Sequence, residues 1–276
     1  MSDFDPRIPR ELAVRLGEEA VAISKAGNYA GPAGNVDISG QILSSLKKTT
    51  FYGADYVHQP ASKGANSTRI EVTNETTLSA HQRHLAKGHN TVSLNFASAT
   101  HPGGGFLRGA RAQEEYLCRS SALFVTIKDS PMYAYHLAKG DCLYSDAMIY
   151  SPEVPVFRDD RHELIAVPYL ASFITSAAPL TKLLRDEDFE HLHETLHVRI
   201  RKILSVAQSH GHNSLVLGAW GCGAFGNDGK QVSGLFHETL NSEFAGAFKE
   251  VTFAIVDTSS EGRFIGPFAQ RFSAGG

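Results

Sequence analysis

The chain has 276 residues, 42% of them hydrophobic and 20% charged, so it can bury a sizeable core and is not an intrinsically disordered chain. Its net charge of −3 excludes the basic footprint of a general nucleic-acid binder, so no sequence-specific nucleic-acid binding is expected, while a local pocket for a small anion remains open. Three cysteines are too few for a disulfide framework, no apolar run reaches the roughly 18 residues of a membrane span, and the first twenty residues carry no secretory apolar segment. A reducing, cytoplasmic setting without a membrane partner is therefore expected.

In chain order, residues 9–27 carry Leu12, Val14, Leu16, Ala20, Val21 and Ile23 at helical spacing and end at Gly27-Asn28. Residues 36–48 predict a second, shorter helix, and 53–66, rich in Gly, Pro, Ser and Asn, a loop. We place a boundary near residue 65, between an N-terminal helical extension (1–65) and a main domain (66–276). From there strands and helices alternate. Strands are expected at 69–72, 92–97, 147–150, 163–167, 215–218 and 251–256. Helices are expected at 76–88, 114–127, 185–209 and 229–243. The alternation predicts a layered α/β fold with a largely parallel, buried sheet, and ligands in such folds sit where loops leave the carboxyl ends of strands.

Two glycine-rich loops stand at such places. The first runs from the 92–97 strand through Ser98 to Gly103-Gly104-Gly105, then to Gln113-Glu114-Glu115 at the start of a helix. Consecutive glycines let backbone N–H groups close on an anion. Acids in a first helical turn commonly serve the helix dipole, but two carboxylates and an amide one loop away from a phosphate cradle form a site-like set. The second loop, 217–228, holds Gly221, Gly223, Ala224, Phe225 and Gly226 between a strand and a helix. Trp220 reads as core. Phe225, a large ring inside a glycine-rich turn, is expected to lie against a ligand. Cys222, with no adjacent base, reads as a small packed residue.

At these residues the chain resembles the bacterial-type poly(ADP-ribose) glycohydrolases of the macrodomain superfamily. The signature GGG, a spacer, then QEE stands here as 103–105, seven residues, and 113–115. Segments 95–99, 150–159, 217–228 and 252–257 also look like that family, so the likeness runs from about residue 69 to the C-terminus. The resemblance implies a macrodomain-like three-layer α/β fold, a mixed sheet flanked by helices. It implies hydrolysis of the ribose–ribose O-glycosidic bond without metal or cofactor, with poly(ADP-ribose), ADP-ribose and ADP-ribosylated proteins as partners. Glu115 would be the acid/base and Glu114 the residue holding ribose hydroxyls. The loops at Gly103–Gly105 and 221–226 would bracket the diphosphate, with Gln113 among the ligand-binding residues. Phe225 and Ser98 would meet the distal ribose, and Phe264 and Phe268 are candidates for stacking on adenine. Acid action requires a protonated glutamate, which desolvation and negative neighbours favour.

Two other readings compete. An ADP-ribose reader would use the glycine loops but has no need of the paired glutamates. His193-Glu194-Thr195-Leu196-His197 is a literal HExxH that would put two histidines on one helical face, as a zinc hydrolase requires. Positions 200 and 203 are Ile, so the further histidine of one large HExxH class is missing, and the motif reads as the solvated face of an amphipathic helix.

Overall fold

The computed structural model describes residues 8–57 and 63–273. The loop expected over 53–66 therefore falls partly outside the described residues. Helix α1 (Arg10–Ala26) buries Ala13, Leu16, Ala20 and Ile23 and ends at Gly27, which adopts the left-handed conformation (φ 71°). A hairpin, β1 (Asn28–Gly31) and β2 (Gly34–Asp37), leads to α2 (Ser39–Lys48). Mid-helix Gly17 has a packing reason. A Cβ there would stand 2.9 Å from the Phe106 carbonyl oxygen, so its absence lets α1 close on the first glycine-rich segment.

The main sheet has seven strands: β3 (Thr50–Tyr52), β4 (Arg69–Thr73), β5 (Thr91–Phe96), β6 (Met148–Arg158), β7 (Leu164–Ser176), β8 (Ser214–Leu217) and β9 (Glu250–Ala254). Their order is β3-β6-β7-β5-β8-β9-β4. The run from β7 to β4 is parallel, as expected, whereas β3 and β7 both pair antiparallel to β6, which makes the sheet mixed. Strands β6 and β7 form a long hairpin, far beyond the short segments expected at 147–150 and 163–167. Pro152, Glu153 and Pro155 hide the alternation, and the register shifts between Ser151 and Val154. Strand β3 also belongs to this sheet, so residues ahead of 65 form its edge.

Helices cover both faces. On one lie α7 (Phe189–Ser209), α8 (Gly229–Asn241) and α9 (Gly266–Ser273), with Leu196, Ile200, Phe236 and Phe268 packed on Leu94, Leu217 and Phe253. On the other lie α1, α2, α4 (Gln113–Ser120), α5 (Leu123–Ile127) and α6 (Pro131–Lys139), packed on Ile149, Val156 and Phe173. Helix α3 (Thr77–Ala86) lies over β5, β8 and β9 and is capped by Thr76, whose hydroxyl accepts from Ser79 N at 3.0 Å. The single helix expected over 114–127 is two. Between them Ser121 bridges to Val156, and its Oγ accepts from Leu123 N at 3.2 Å. Among the described residues no helix is long and apolar enough to cross a membrane.

Candidate active site

The carboxyl ends of β5, β8 and β9 open into one pocket of about 320 Å³. Its walls come from the flanks of the first glycine-rich loop (Ser98, Arg111 and Ala112), from the second loop, the start of α4, Thr76 and Thr77 at the start of α3, and Ile255, Val256 and Phe264 after β9, whereas Gly103, Gly104, Gly105 and Gly226 do not line it. Of the residues the sequence put forward, Ser98, Gln113, Glu114, Glu115, Gly221, Gly223, Ala224 and Phe225 all line it.

The two glutamates are both buried, yet differently held. Glu114 (3% exposed) accepts from Ser98 N at 2.6 Å on Oε2 and from Asn95 Nδ2 at 3.4 Å on Oε1. Burial, reinforced by the neighbouring carboxylate of Glu115, pushes its pKa up to about 8 against those hydrogen bonds. Glu115 (8% exposed) accepts from Gly105 N at 2.9 Å on Oε1, and its Oε2 has no hydrogen-bond partner among the described residues. The glycine loop thus clasps Glu115 itself. At Gly104 (φ 59°) an added Cβ would fall 2.3 Å from Glu115 Oε1 and 3.2 Å from Glu114 Oε2, so only glycine fits between the loop and the carboxyl pair. Gly103 (φ 70°) is constrained by the Phe106 ring, 2.9 Å from where its Cβ would be.

The raised pKa of Glu114 has a consequence for folding. A carboxyl that titrates near 4.5 when unfolded and near 8 when folded stabilises the fold fully at low pH, and that contribution is lost as pH rises through 8. The ligand-free protein is expected to lose melting temperature from pH 5 to pH 8.5 relative to its Glu114→Gln variant. Parallel melting curves for the two proteins would contradict this.

Gln113 lines the pocket, and its amide is held by the protein. Its Oε1 accepts from Phe96 N at 2.9 Å, and its Nε2 donates to the Leu94 carbonyl at 2.8 Å and to Thr77 Oγ1 at 3.0 Å. The amide locks the start of α4 to the end of β5 and to α3, which sets where the two glutamates emerge.

The second loop is shaped from outside. Asn227 Nδ2 donates to Pro179 O at 2.8 Å and Gly221 O at 3.1 Å, and Asp228 caps α8. Thr181 Oγ1 and Lys182 N both donate to the Phe225 carbonyl, at 2.9 and 3.3 Å, a support no sequence signal marked. Phe225 is half-buried on the pocket wall, its ring 6.4 Å from that of Tyr144. Trp220 is fully buried, donating from Nε1 to Ser176 O at 3.0 Å. The Cys222 thiol is pushed up to about 12, chiefly by burial, and is inert.

After β9, Asp257 accepts from Ser259 N and from Phe264 N and Ile265 N, at 2.9, 2.6 and 3.0 Å. Against the opposing effect of burial, a bond from Ser259 Oγ (2.6 Å) and these backbone bonds hold its carboxyl below the usual range and fix the turn that brings Phe264 to the pocket, with the Arg263 guanidinium 5.3 Å over the ring. Phe268 is not available for stacking. It is 0% exposed in α9, packed on Phe253, because the helix turns it toward the core.

The HExxH histidines sit on α7 with ring centroids 6.3 Å apart, and among the described residues no third ligand joins them. The grouping with ligand spacing is His84, His89 and Glu250, at the opposite end of the sheet. There Glu250 pairs with Lys87 at 2.6 Å, and the ring nitrogens of His84 bond Ser214 and Thr252 hydroxyls. A local cation thus engages Glu250 and two hydroxyls engage His84.

A buried carboxyl pair under a glycine loop, at the strand ends of an α/β sheet and with aromatic walls, is an arrangement suited to acid–base chemistry on a bound ligand, as in a glycosidase. The family model for the microbial-type PARG catalytic domain matches residues 17–159, and the chain belongs to that family. It is similar to the crystal structure of poly(ADP-ribose) glycohydrolase from Thermomonospora curvata, with 44% identity and a TM-score of 0.90 over 95% of this chain and 100% of that one. The form of that enzyme bound to the inhibitor ADP-HPD gives 42% identity and 0.87, again over 95% and 100%. The Deinococcus radiodurans enzyme in complex with ADP-ribose gives 37% and 0.80, over 87% of this chain and 100% of that one. Among curated proteins, none matches.

Proposed function

We propose that the pocket takes an ADP-ribose unit of poly(ADP-ribose) and that the protein hydrolyses the ribose–ribose O-glycosidic bond beside it, with Glu115 as the acid/base. The observation that carries this is the asymmetry of the pair: Glu115 lines the pocket with one oxygen held by Gly105 N and the other without a partner among the described residues. Both Glu114 oxygens are engaged by protein donors. Glu114 is thus the fixed member, positioned to hold ribose hydroxyls, and Glu115 the member able to move a proton.

In this reaction Glu115 gives its proton to the leaving ribose oxygen as the C–O bond to the anomeric carbon breaks. Water then attacks that carbon, and Glu115 recovers the proton from it. Burial and the Glu115 charge push the pKa of Glu114 up to about 8 in the ligand-free pocket, so the site disfavours two charged carboxylates side by side. The diphosphate, cradled by the two loops, stabilises the positive charge that develops on the ribose. Phe225 supports the distal ribose and Phe264 the adenine end. Polymer attached to ADP-ribosylated proteins is the corresponding macromolecular substrate. A reader role is the weaker account, since a binding pocket has no use for a second buried carboxyl beside the first.

The test is release of ADP-ribose from purified poly(ADP-ribose), together with calorimetric binding of ADP-ribose in chelator-treated buffer. Both are expected; binding without release would return the protein to a reader role. Phe225→Ala is expected to lower turnover about 10²-fold by loosening the reactive pose, with melting temperature nearly unchanged. A variant that mainly unfolds, with normal specific activity in its folded fraction, would place Phe225 in the core instead.

A further inference from the structure

We propose that Asp160, in the turn between β6 and β7, is a positioning residue that sets the catalytic helix α4 against the N-terminus of α3. The inference rests on Glu114 and Glu115 being the reacting carboxyls. Asp160 lies outside the pocket lining, and no sequence motif singles out its role. Its Oδ2 accepts from Thr76 Oγ1 at 2.9 Å and from Ser79 Oγ at 2.8 Å. Its Oδ1 accepts from the hydroxyl of Tyr116, the residue directly after Glu115. One carboxylate thereby ties the α3 cap to α4, and Thr76 and Tyr116 are themselves pocket walls. Tyr116 is buried, and desolvation together with the Asp160 charge raises its pKa well above the usual range, so it stays a donor to that carboxylate.

The turn that presents Asp160 is itself braced. Asp159 Oδ1 accepts from Arg161 N at 3.0 Å and Glu163 N at 2.9 Å. Fully buried Arg158 donates to Arg119 O at the end of α4 (3.1 Å), to His162 O across the turn (3.1 Å) and to Glu19 on α1 (2.7 Å). Helix α4 is therefore held at its start by Gln113, in its middle by Tyr116–Asp160 and at its end by Arg158. The middle bond is the one adjacent to Glu115. Hydrogen bonds to a charged acceptor are short, strong and directional, so this bond fixes the rotation of α4 about its own axis. That rotation sets the direction in which Glu115 points. A displacement of about 1 Å at the reacting groups suffices for a 10²-fold loss of rate.

The experiment compares Tyr116→Phe and Asp160→Ala with the parent, measuring kcat and KM on poly(ADP-ribose), ADP-ribose affinity by calorimetry, and melting temperature. Tyr116→Phe keeps the ring packing and removes only the hydroxyl. Both variants are expected to lose about 10- to 100-fold in kcat, with ADP-ribose affinity within about threefold of the parent. The double variant is expected to be no worse than the poorer single one, because both break the same bond. Asp160→Asn, which keeps an acceptor oxygen, is expected to recover part of the loss. Parental kcat in Tyr116→Phe would overturn the proposal. So would a loss of kcat and affinity together that tracks a fall in melting temperature, the signature of a purely structural role. Glu115→Gln, run alongside, separates the two levels: if it stays active the acid/base assignment fails, whereas if it is dead while Tyr116→Phe is normal only the positioning role fails.

Discussion

Glu115→Gln is expected to reduce release of ADP-ribose from poly(ADP-ribose) by at least about 10³-fold while ADP-ribose still binds. General acid or base catalysis contributes roughly 10²–10⁴-fold for each role, and in the proposed mechanism one carboxyl serves in bond breaking and again in water activation. Glutamine is nearly isosteric, and its amide oxygen can keep the bond from Gly105 N, so the loop should hold its shape. What is lost is the acidic proton and the carboxylate that would take one back. Glu114→Gln is also expected to be slow, through a misplaced ribose, but its carbonyl can retain the Ser98 N bond and it should lose less. Turnover assays with calorimetry on the same preparations distinguish the cases. Activity within a few-fold of the parent in Glu115→Gln would move the acid/base role to another group.

Gly104→Val is expected to be comparably damaging for a different reason. At φ 59° a β-branched residue is strained wherever it stands, and here its Cβ would also lie 2.3 Å from Glu115 Oε1 and 3.1 Å from Glu115 Cδ. The carboxyl pair or the loop must give way, and on the proposed mechanism either outcome misaligns the acid with the bound substrate. A loss of at least about 10²-fold in kcat/KM is expected, together with weaker ADP-ribose binding, measured by calorimetry. Gly40→Ala is the control: it lies in α2, where an added Cβ meets nothing within 4 Å, and it should behave as the parent. Unchanged ADP-ribose affinity in Gly104→Val would remove this loop from the diphosphate cradle.

What could be read in advance divides along physical lines. The helices α1, α7 and α8 carry a 3.6-residue apolar period that their packing simply realises, and they fall close to where the pattern places them. The glycine loops and the Gln113-Glu114-Glu115 run were visible because their chemistry is local: consecutive residues, one turn, one helix start. The β6–β7 hairpin was not, since prolines interrupt its alternation and its partners come from distant segments. Nor was the three-residue β3, too short to carry a period. For the far wall of the pocket the sequence offered two candidate rings, and the choice between them is tertiary. Phe264 and Phe268 are four residues apart, and only the turn set by Asp257 and the pitch of α9 decide which ring meets the pocket and which the core. Gln113 shows the converse: its neighbourhood was right, but the amide faces inward, toward β5 and α3.

The placement of β3 bears on how the protein avoids sticking to itself. Strand β6 is eleven residues long and almost wholly buried, and it would otherwise form the outer rim of the sheet. Exposed rims of that kind recruit strands from other molecules. Thr50–Tyr52 covers part of this rim through pairing with Met148–Tyr150, and α2 lies against the same strand, its Ser45 hydroxyl bonded to the Pro152 carbonyl at 2.6 Å. The segment that precedes the catalytic loops in the chain is thus a built-in guard against intermolecular β-pairing, and shortening the protein to its motif-bearing part would trade that guard for a tendency to aggregate.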